Sequence, residues 1–388
     1  MKNIRSFINQ WKNAFNFHSL PKNGKSIVVY SEGKPSSPHL GPLIQQLINR
    51  GHNVQLLMSD QDDPLAELKA PDAEVISHWI GSGSARIWVY SNLKTCVFIT
   101  TTPDLETMQL KRSKNDAYYV YTHHSMISTH MGYRPEAFDH FDAILCTGPY
   151  QIKETRAHES KSKLRAKKLG EIGYFRLDEL RSSNIIPVHN EATAMREDVT
   201  SVLLAPTWGE NSILPLYGEE IIDILLQSGY RVITRPHPET IRRSAQLVQM
   251  ISDRFSTHEY FELDFNPRGD LSMRQASLMI SDWSGVAMEY AYGFEKPVLF
   301  MDLPRKIHNA EYNGLGIEPI EVSVRNEIGK IVHPKNIPEL PTEIKSLISN
   351  NSGLAKGIRS SRAKHVFNQG QSAIIGANFI EGIIDNRS

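Results

Sequence analysis

The feature that most constrains this chain is an alternation of short apolar runs with segments of helical periodicity, beginning at residue 26. SIVVY at 26–30 is typical of a buried strand, and HLGPLIQQLINRGHN at 39–53 predicts a helix that ends near Gly51. Further strands are predicted at 53–59, 95–101, 118–124, 143–148, 201–207, 231–236, 278–282 and 297–302. Strands separated by helices predict parallel βαβ units, with helices on both faces of each sheet.

A segment of low hydrophobicity, SSNIIPVHNEATAMREDVT, separates two such series and is typical of a linker. The 388 residues are enough for two domains with their own cores. We predict an N-terminal amphipathic helix at 1–24 and a Rossmann-like domain at 25–190. A second Rossmann-like domain, which includes the C-terminal helices, is predicted at 195–388. Such folds bind ligands at the carboxyl ends of their strands.

Charge and cysteine content exclude several classes of protein. The 43 basic and 43 acidic side chains balance, so nothing in the net charge indicates a nucleic-acid partner. No window approaches eighteen uninterrupted apolar residues, which argues against a transmembrane helix. Cys96 and Cys146 form no CxxC motif, which argues against a disulfide framework or a cysteine metal site and fits a reducing cytoplasm.

The first twenty residues, MKNIRSFINQWKNAFNFHSL, mix bulky apolar side chains with Lys and Arg. This pattern predicts an amphipathic helix that packs on its own domain. The alternative is a helix that rests on the cytoplasmic face of a membrane, making the protein peripheral there. The basic stretch at 155–168 is typical of a solvated helix face and is a second candidate for attracting phospholipid headgroups.

Four corners in the second half place polar residues at predicted strand ends: APTWGE (205–210), RPHP (235–238), SDWSG (281–285) and FMDLP (300–304). Two prolines flank His237 and hold it extended, because proline fixes its own φ and restricts the residue before it. Ser284 and Gly285 stand where a helix begins, and a helix start offers unpaired N–H groups to a phosphate. Glu289, one turn on, is placed to accept hydrogen bonds from a ribose diol. The alternative is a plain N-cap at Asp282 or Ser284.

The first half carries YSEGKPSSPHLG (30–41) and YTHHSMISTHMGYR (121–134), each following a predicted strand. A histidine titrates near neutral pH and can take a proton from an alcohol. Because neighbouring residues of a strand point to opposite faces, at most one of His123 and His124 faces a cleft. A buried structural role is the alternative for any one of these histidines. Zinc is a weaker alternative, since Cys146 and Asp142 give no recognisable ligand spacing.

Taken in order, APTW, RPHP and SDWSGVAMEYAYGFEKPVLF, within about 200–305, resemble the CDP-glycerol glycerophosphotransferase family of teichoic-acid and capsule biosynthesis. The HHS stretch stands where members carry a His-Gly or His-Ser motif. Ser125 replaces the commoner glycine, and Trp283 replaces the tyrosine of their SDYS corner. The resemblance implies an α/β fold of the GT-B type. Two doubly wound, Rossmann-like domains would enclose the active site between them, with the donor on the second domain and the acceptor on the first.

The resemblance also implies a reaction: an acceptor hydroxyl attacks the glycerol-bearing phosphorus of CDP-glycerol, and CMP leaves. The acceptor would be a glycan or a lipid-linked molecule of the cell envelope. His124 matches the family's first histidine, the general base, and His237 matches the second, which contacts the diphosphate. The expected donor-binding residues are Thr207, Arg235, Ser281, Asp282, Ser284, Gly285 and Glu289. The expected acceptor-side residues are Glu32, His123, Ser125 and His130. No cofactor and no metal ion are expected, because no DxD motif is present and a helix terminus can replace a cation.

Three other functions fit parts of the same pattern. A GT-B glycosyltransferase using a CMP- or UDP-linked sugar would reuse the helix terminus and the ribose glutamate. A sugar-nucleotide 2-epimerase needs acid and base carboxylates, and the first half offers no clear pair beyond Glu32 and Asp60. A non-catalytic nucleotide-binding scaffold would have no use for the histidines of HHS and RPHP.

Overall fold

The structure is a computed structural model that describes residues 2–21, 23–107, 110–183, 199–266 and 270–387. Most of the predicted linker, and with it the predicted boundary between 190 and 195, lies outside the described residues. The division into domains at those positions therefore stays a prediction. What the structure does describe is two separate parallel sheets, one before this segment and one after it.

The first sheet has seven strands in the order β3-β2-β1-β4-β5-β6-β7, and each neighbouring pair is parallel. Its strands are β1 (Ile27–Ser31), β2 (Val54–Met58), β3 (Val75–Trp79), β4 (Val97–Thr100), β5 (Tyr118–Thr122), β6 (Ala143–Cys146) and β7 (Lys168–Glu171). Its helices are α1 (Lys2–Ser19), α2 (Ser37–Asn49), α3 (Ser84–Ser91), α4 (Pro149–Ser162) and α5 (Phe175–Ser183).

The second sheet has six parallel strands in the order β10-β9-β8-β11-β12-β13. They are β8 (Ser201–Leu204), β9 (Arg231–Thr234), β10 (Phe261–Leu263), β11 (Leu278–Ser281), β12 (Val298–Met301) and β13 (Gly329–Val332). The helices that follow are α6 (Ile213–Gln227), α7 (Pro238–Arg243), α8 (Ala245–Phe255), α9 (Asp270–Gln275), α10 (Val286–Phe294), α11 (Ile320–Ser323), α12 (Arg325–Ile328), α13 (Leu340–Ser349), α14 (Asn351–His365) and α15 (Ser372–Asp385).

The central strands are buried along their whole length, as continuous apolar runs predict for a parallel sheet covered on both faces. In β1, for example, Val28 faces one apolar core and Ile27 and Val29 face the other. The second sheet is covered in the same way by two further clusters. The predicted α/β architecture of doubly wound parallel sheets is confirmed.

The last helix differs from the prediction that all C-terminal helices accompany the second domain. α14 packs on α10 and α12 of the second sheet, but α15 packs on α2 of the first. Ala377, Ile380 and Ile383 of α15 join the core beneath the first sheet. The chain thus crosses back to the first half, where α15 buries its apolar face.

The N-terminal helix packs on the first sheet through one face and exposes apolar residues on another. Ala14 and Phe17 are buried, and the Trp11 ring lies 5.8 Å from that of Trp88 in α3. Four large apolar side chains of α1 are more than half exposed: Ile4, Phe7, Ile8 and Phe15. The predicted packing is therefore present, together with an apolar surface that the chain's described residues do not cover. No helix among the described residues has the length and apolar character needed to span a membrane.

Candidate active site

A cavity of about 460 Å³ opens where the carboxyl ends of the two sheets face each other. It receives residues from both halves of the chain, as the prediction of an interdomain site requires. The predicted residues that line it are His124, Ser125, Thr207, Arg235, His237, Ser284, Gly285 and Glu289. Lining residues that the sequence analysis did not single out include His39, Tyr133, Arg176, Trp208 and Lys306.

His124 follows β5 and presents a proton acceptor to this cavity. Its Nδ1 lies 3.1 Å from the carbonyl oxygen of Thr101. A carbonyl can only accept, so Nδ1 carries the proton and Nε2 keeps its lone pair. Burial lowers the pKa of His124, which keeps the imidazole neutral at neutral pH. A neutral imidazole with a free Nε2 is the form that a general base needs.

His237 is held in the opposite tautomer. Its Nδ1 accepts a hydrogen bond of 3.0 Å from the backbone N–H of Glu239 and so caps the start of α7. In a neutral ring the proton must then be on Nε2, which makes that nitrogen a donor. Burial, with a smaller contribution from Lys306, lowers the pKa of His237 to about 4. His237 is thus a neutral hydrogen-bond donor in the lining of the cavity.

Lys306 supplies a positive charge between the first predicted corner, APTWGE, and the fourth, FMDLP. Its Nζ donates to the hydroxyl of Thr207 over 2.8 Å and to the carbonyl of Trp208 over 3.1 Å, and it lies 3.9 Å from the Trp208 ring centre. Burial lowers the pKa of Lys306 to about 8. The sequence signal was the FMDLP corner, which ends two residues before this lysine, but only the fold brings the lysine to Thr207.

Gly285 and Ser284 stand at the start of α10, as predicted, and line the cavity. The space beside Gly285 is filled in part by the first domain. A Cβ added at Gly285 would overlap the hydroxyl of Ser125 and come within 3.2 Å of Ile127. The glycine therefore lets the segment after His124 approach the start of α10.

Ser281 and Asp282 have a supporting role in place of the predicted contact with the nucleotide. The carboxylate of Asp282 accepts hydrogen bonds from the backbone N–H groups of Thr207 and Ile213, at 2.6 and 3.1 Å. The hydroxyl of Ser281 donates a hydrogen bond of 2.7 Å to the carbonyl of Ala205. Both side chains are buried, and neither lines the cavity. These hydrogen bonds fix the Thr207 corner and the start of α6. They also offset the cost of burying the Asp282 carboxylate, which would be high if the carboxylate were unpaired.

Glu289 lines the cavity but is not an exposed residue of a helix start. It is 9% exposed, and its carboxylate accepts a hydrogen bond of 2.7 Å from the hydroxyl of Tyr174, which follows β7. Burial raises the pKa of Glu289, while the charges of Arg176 and Arg235 oppose that rise. A carboxylate held in this way keeps one oxygen available to a ligand.

Three of the predicted acceptor-side residues lie away from this cavity. His123 is enclosed by Tyr121 and Phe138, and neither ring nitrogen has a hydrogen-bond partner among the described residues. Burial lowers its pKa to about 3. His130 lies 3.0 Å from the carbonyl of Ile317 and borders a different cavity. Glu32 borders an open groove beside Arg86. Their side chains do not meet His124 in one site, because the fold turns each away from it.

Two buried carboxylates hold the segment that follows His124. Glu321 of α11 accepts the backbone N–H and the hydroxyl of Ser128 at 3.0 and 2.8 Å. Glu154 of α4 accepts hydrogen bonds from the backbone N–H and the hydroxyl of Thr129, at 2.6 and 2.7 Å. One carboxylate comes from each half of the chain, so the segment bridges the two sheets and fixes the position of His124 relative to the second.

The sequence matches a family model over residues 14–318, and the family is described as CDP-Glycerol:Poly(glycerophosphate) glycerophosphotransferase. Among curated proteins the chain is similar to the minor teichoic acid biosynthesis protein GgaB of Bacillus subtilis, with 22% identity over 186 residues. That match covers 40% of this chain and 20% of GgaB, so it spans about a fifth of the curated relative's length.

Solved structures share the whole architecture. The wall teichoic acid polymerase TagF superimposes with a TM-score of 0.61 at 16% identity, over 100% of this chain and 98% of that one. A putative UDP-N-acetylglucosamine 2-epimerase from Listeria monocytogenes gives a TM-score of 0.58 at 14% identity, over 93% and 96% of the two chains. At these identities the likeness shows the fold alone. The predicted GT-B architecture is confirmed.

Proposed function

Because the chain belongs to the CDP-Glycerol:Poly(glycerophosphate) glycerophosphotransferase family, we propose that it transfers glycerol phosphate, or a related polyol phosphate, from a CDP-linked donor to an acceptor hydroxyl. The membership confirms the resemblance drawn from APTW, RPHP and SDWSG. One observation carries the proposal: two histidines in opposite tautomers line one cavity, with a proton acceptor at His124 and a proton donor at His237.

The first half of the reaction belongs to His124. The acceptor hydroxyl forms a new O–P bond with the polyol-bearing phosphorus, and its proton passes to Nε2 of His124. The carbonyl of Thr101 accepts from Nδ1–H throughout, so it orients the ring and stabilises the imidazolium that forms. Acceptor approach from this side is consistent with the position of His124 on the first domain.

The second half of the reaction, the departure of CMP, depends on the residues of the second domain that line the cavity. The P–O bond to CMP breaks, and the electron pair leaves with the CMP oxygen. Nε2–H of His237, the ammonium of Lys306 and the start of α10 supply positive electrostatic potential there. Hydrogen-bond donors that are already in position, in a site that excludes much of the water, stabilise the transition state, in which this charge grows, more strongly than the ground state. Glu289 is placed to accept hydrogen bonds from the ribose diol, and Thr207 and Arg235 complete the donor side.

We propose that these groups work without a metal ion or other cofactor, because Lys306 and the helix terminus supply the charge that a cation would bring. Turnover that persists in excess EDTA is the expected result. Full loss of turnover in EDTA, restored by Mg²⁺, would contradict this part of the proposal.

The acceptor is proposed to be a glycan or a lipid-linked molecule of the cell envelope, in teichoic-acid or capsule synthesis. The exposed apolar side chains of α1 support a peripheral position at the cytoplasmic face of the membrane, where a lipid-linked acceptor would be present. Helices of this kind bury one apolar face at the level of the headgroups.

A panel of donors tests the proposal. The purified chain is incubated with an acceptor preparation and, in turn, with CDP-glycerol, CDP-ribitol, CMP-linked sugars and UDP-linked sugars, and release of CMP, CDP or UDP is measured. The proposal expects CMP from a CDP-polyol. Release of UDP, or of CMP from a CMP-sugar alone, would identify a GT-B glycosyltransferase instead.

A further inference from the structure

His39 also lines the cavity, in addition to His124 and His237, and the reaction proposed above gives it no role. It is the third residue of α2, and it lines the cavity together with His124 and Glu289. The rings of His39 and His124 have centroids 6.3 Å apart and planes inclined by 72°. Both belong to the first domain, the side from which the acceptor is proposed to approach.

The hydrogen bonds of Tyr174 determine the tautomer of His39. A phenol has one proton, and Tyr174 donates it to the carboxylate of Glu289 over 2.7 Å. Nδ1 of His39 lies 3.3 Å from the same phenol oxygen. That oxygen is left only as an acceptor, so Nδ1 of His39 carries the proton and donates it. Nε2 of His39 therefore keeps its lone pair, as Nε2 of His124 does.

The lone pair at Nε2 of His39 is open to a ligand. Within the described part of the chain, no group forms a hydrogen bond with Nε2 of His39, and this nitrogen is not fully buried. Its accessible surface faces the cavity that His39 lines. Two neutral imidazoles thus offer two proton acceptors to the same space.

We infer that His39 is a specificity-determining residue that accepts a hydrogen bond from a second acceptor hydroxyl, next to the one deprotonated by His124. The inference rests on the proposed function. Two adjacent hydroxyls, each hydrogen-bonded over about 2.8 Å to one imidazole nitrogen, can bridge rings at this separation. The preferred acceptor then ends in a vicinal diol, as a glycerol phosphate unit does. An acceptor with a lone hydroxyl leaves Nε2 of His39 desolvated and unpaired, which is unfavourable.

Two acceptor analogues that differ in one hydroxyl test the role of His39. Glycerol 3-phosphate carries a vicinal diol, and 3-hydroxypropyl phosphate lacks the secondary hydroxyl. CMP release from CDP-glycerol is measured with each, in the wild type and in the variants His39→Leu, His39→Gln and Tyr174→Phe. The wild type should prefer the diol by about tenfold in kcat/KM, the worth of one neutral hydrogen bond. The ratio should fall toward one in His39→Leu and recover in part in His39→Gln, whose amide oxygen still accepts.

Tyr174→Phe removes the oxygen that fixes the His39 tautomer, so it should reduce the preference without abolishing it. His258→Leu, at an exposed position outside the cavity, is the matched control and should keep the wild-type ratio. Equal kcat/KM for the two analogues in the wild type, or an unchanged preference in His39→Leu, would overturn the role of His39 while CMP release still supports the proposed function. No CMP release from CDP-glycerol with either analogue would overturn the role of His39, and no CMP release from any CDP-polyol with the acceptor preparation would overturn the proposed function as well.

Discussion

At the scale of single residues, the site depends on which nitrogen of each imidazole carries the proton. The Thr101 carbonyl fixes one ring and the Glu239 amide fixes the other, so two identical side chains acquire opposite roles. Lys306 adds the charge that neither neutral histidine supplies. Because its pKa is lowered to about 8, this charge depends on pH near that value.

The first prediction concerns CDP affinity and pH. Lys306 has a pKa of about 8, so it is charged below that value and loses its charge as the pH rises through it. CDP affinity should therefore be highest below about pH 8 and decline above it, by up to about tenfold per pH unit. Calorimetric titration of CDP between about pH 7 and about pH 9.5 measures this.

Lys306→Met should bind CDP weakly and with no dependence on pH in that range. Lys296 provides a matched control, because burial lowers its pKa to about 8 as well, yet its ammonium donates to the carbonyls of Arg274 and Ala276, away from the cavity. Lys296→Met should keep the wild-type pH dependence. If the decline persists in Lys306→Met, this lysine does not contact the diphosphate.

At the scale of helices and strands, the sequence was informative wherever the pattern is local. Continuous apolar runs identified the central strands, and turn residues at their ends identified the corners that form the cavity. Only one of His123 and His124 faces the cavity, as expected, although β5 ends at Thr122, before both residues. Contacts between distant segments were not predictable. The partners of Asp282 are 69 and 75 residues away, and nothing local distinguishes its role from that of a ligand.

The sequence-based prediction placed the last helix with the second sheet, but the helix covers the first, because amphipathicity specifies a buried face and not its partner. The same limit applies to α1. Its pattern predicted an apolar face, but only the structure separates the residues packed on the first sheet from those that remain exposed.

The second prediction concerns the exposed face of α1. Phe7 and Ile8 are 54% and 57% exposed, so the double variant Phe7→Ser, Ile8→Ser should fold normally but bind less to vesicles of phosphatidylcholine and phosphatidylglycerol. Each large apolar side chain contributes about 1.5–3 kcal/mol when fully buried, so a loss of at least about tenfold in vesicle partitioning is expected. Co-sedimentation measures the bound fraction.

Met250→Ser is the control, because Met250 in α8 is 56% exposed on the second domain and belongs to no proposed membrane surface. It should co-sediment as the wild type does. Equal binding of all three proteins, or no binding of the wild type, would show that α1 is a packing element only.

At the scale of the whole molecule, the two halves pack through α5 and α10 and also meet at close contacts around the cavity. Ser128 binds Glu321, Tyr174 binds Glu289, and Ser125 approaches Gly285. The site thus exists only when the two halves are together. Its most crowded contact is the last one, where the added Cβ of alanine would meet a side chain of the other half.

The third prediction uses this contact. Gly285→Ala should reduce CMP release strongly, because the new methyl group overlaps the Ser125 hydroxyl and separates the two halves. Ser125→Gly removes that hydroxyl, so the double variant Gly285→Ala, Ser125→Gly should be more active than Gly285→Ala alone. A double variant as impaired as Gly285→Ala would mean that the donor phosphate, and not Ser125, requires the glycine.

The division of labour between His124 and His237 is the central claim, and one paired measurement tests it most directly. CMP release from CDP-glycerol and calorimetric CDP binding are compared in the wild type, His124→Ala and His237→Asn. Asparagine keeps an oxygen that can cap α7 but loses the Nε2–H donor, so a change in function is separated from the loss of a cap worth about 1 kcal/mol.

We predict that His124→Ala lowers turnover by about 10² to 10⁴-fold with CDP affinity nearly unchanged. His237→Asn should lose both turnover and CDP affinity while its thermal stability stays near that of the wild type. Near-normal turnover in His124→Ala, or normal CDP binding and turnover in His237→Asn, would contradict the account.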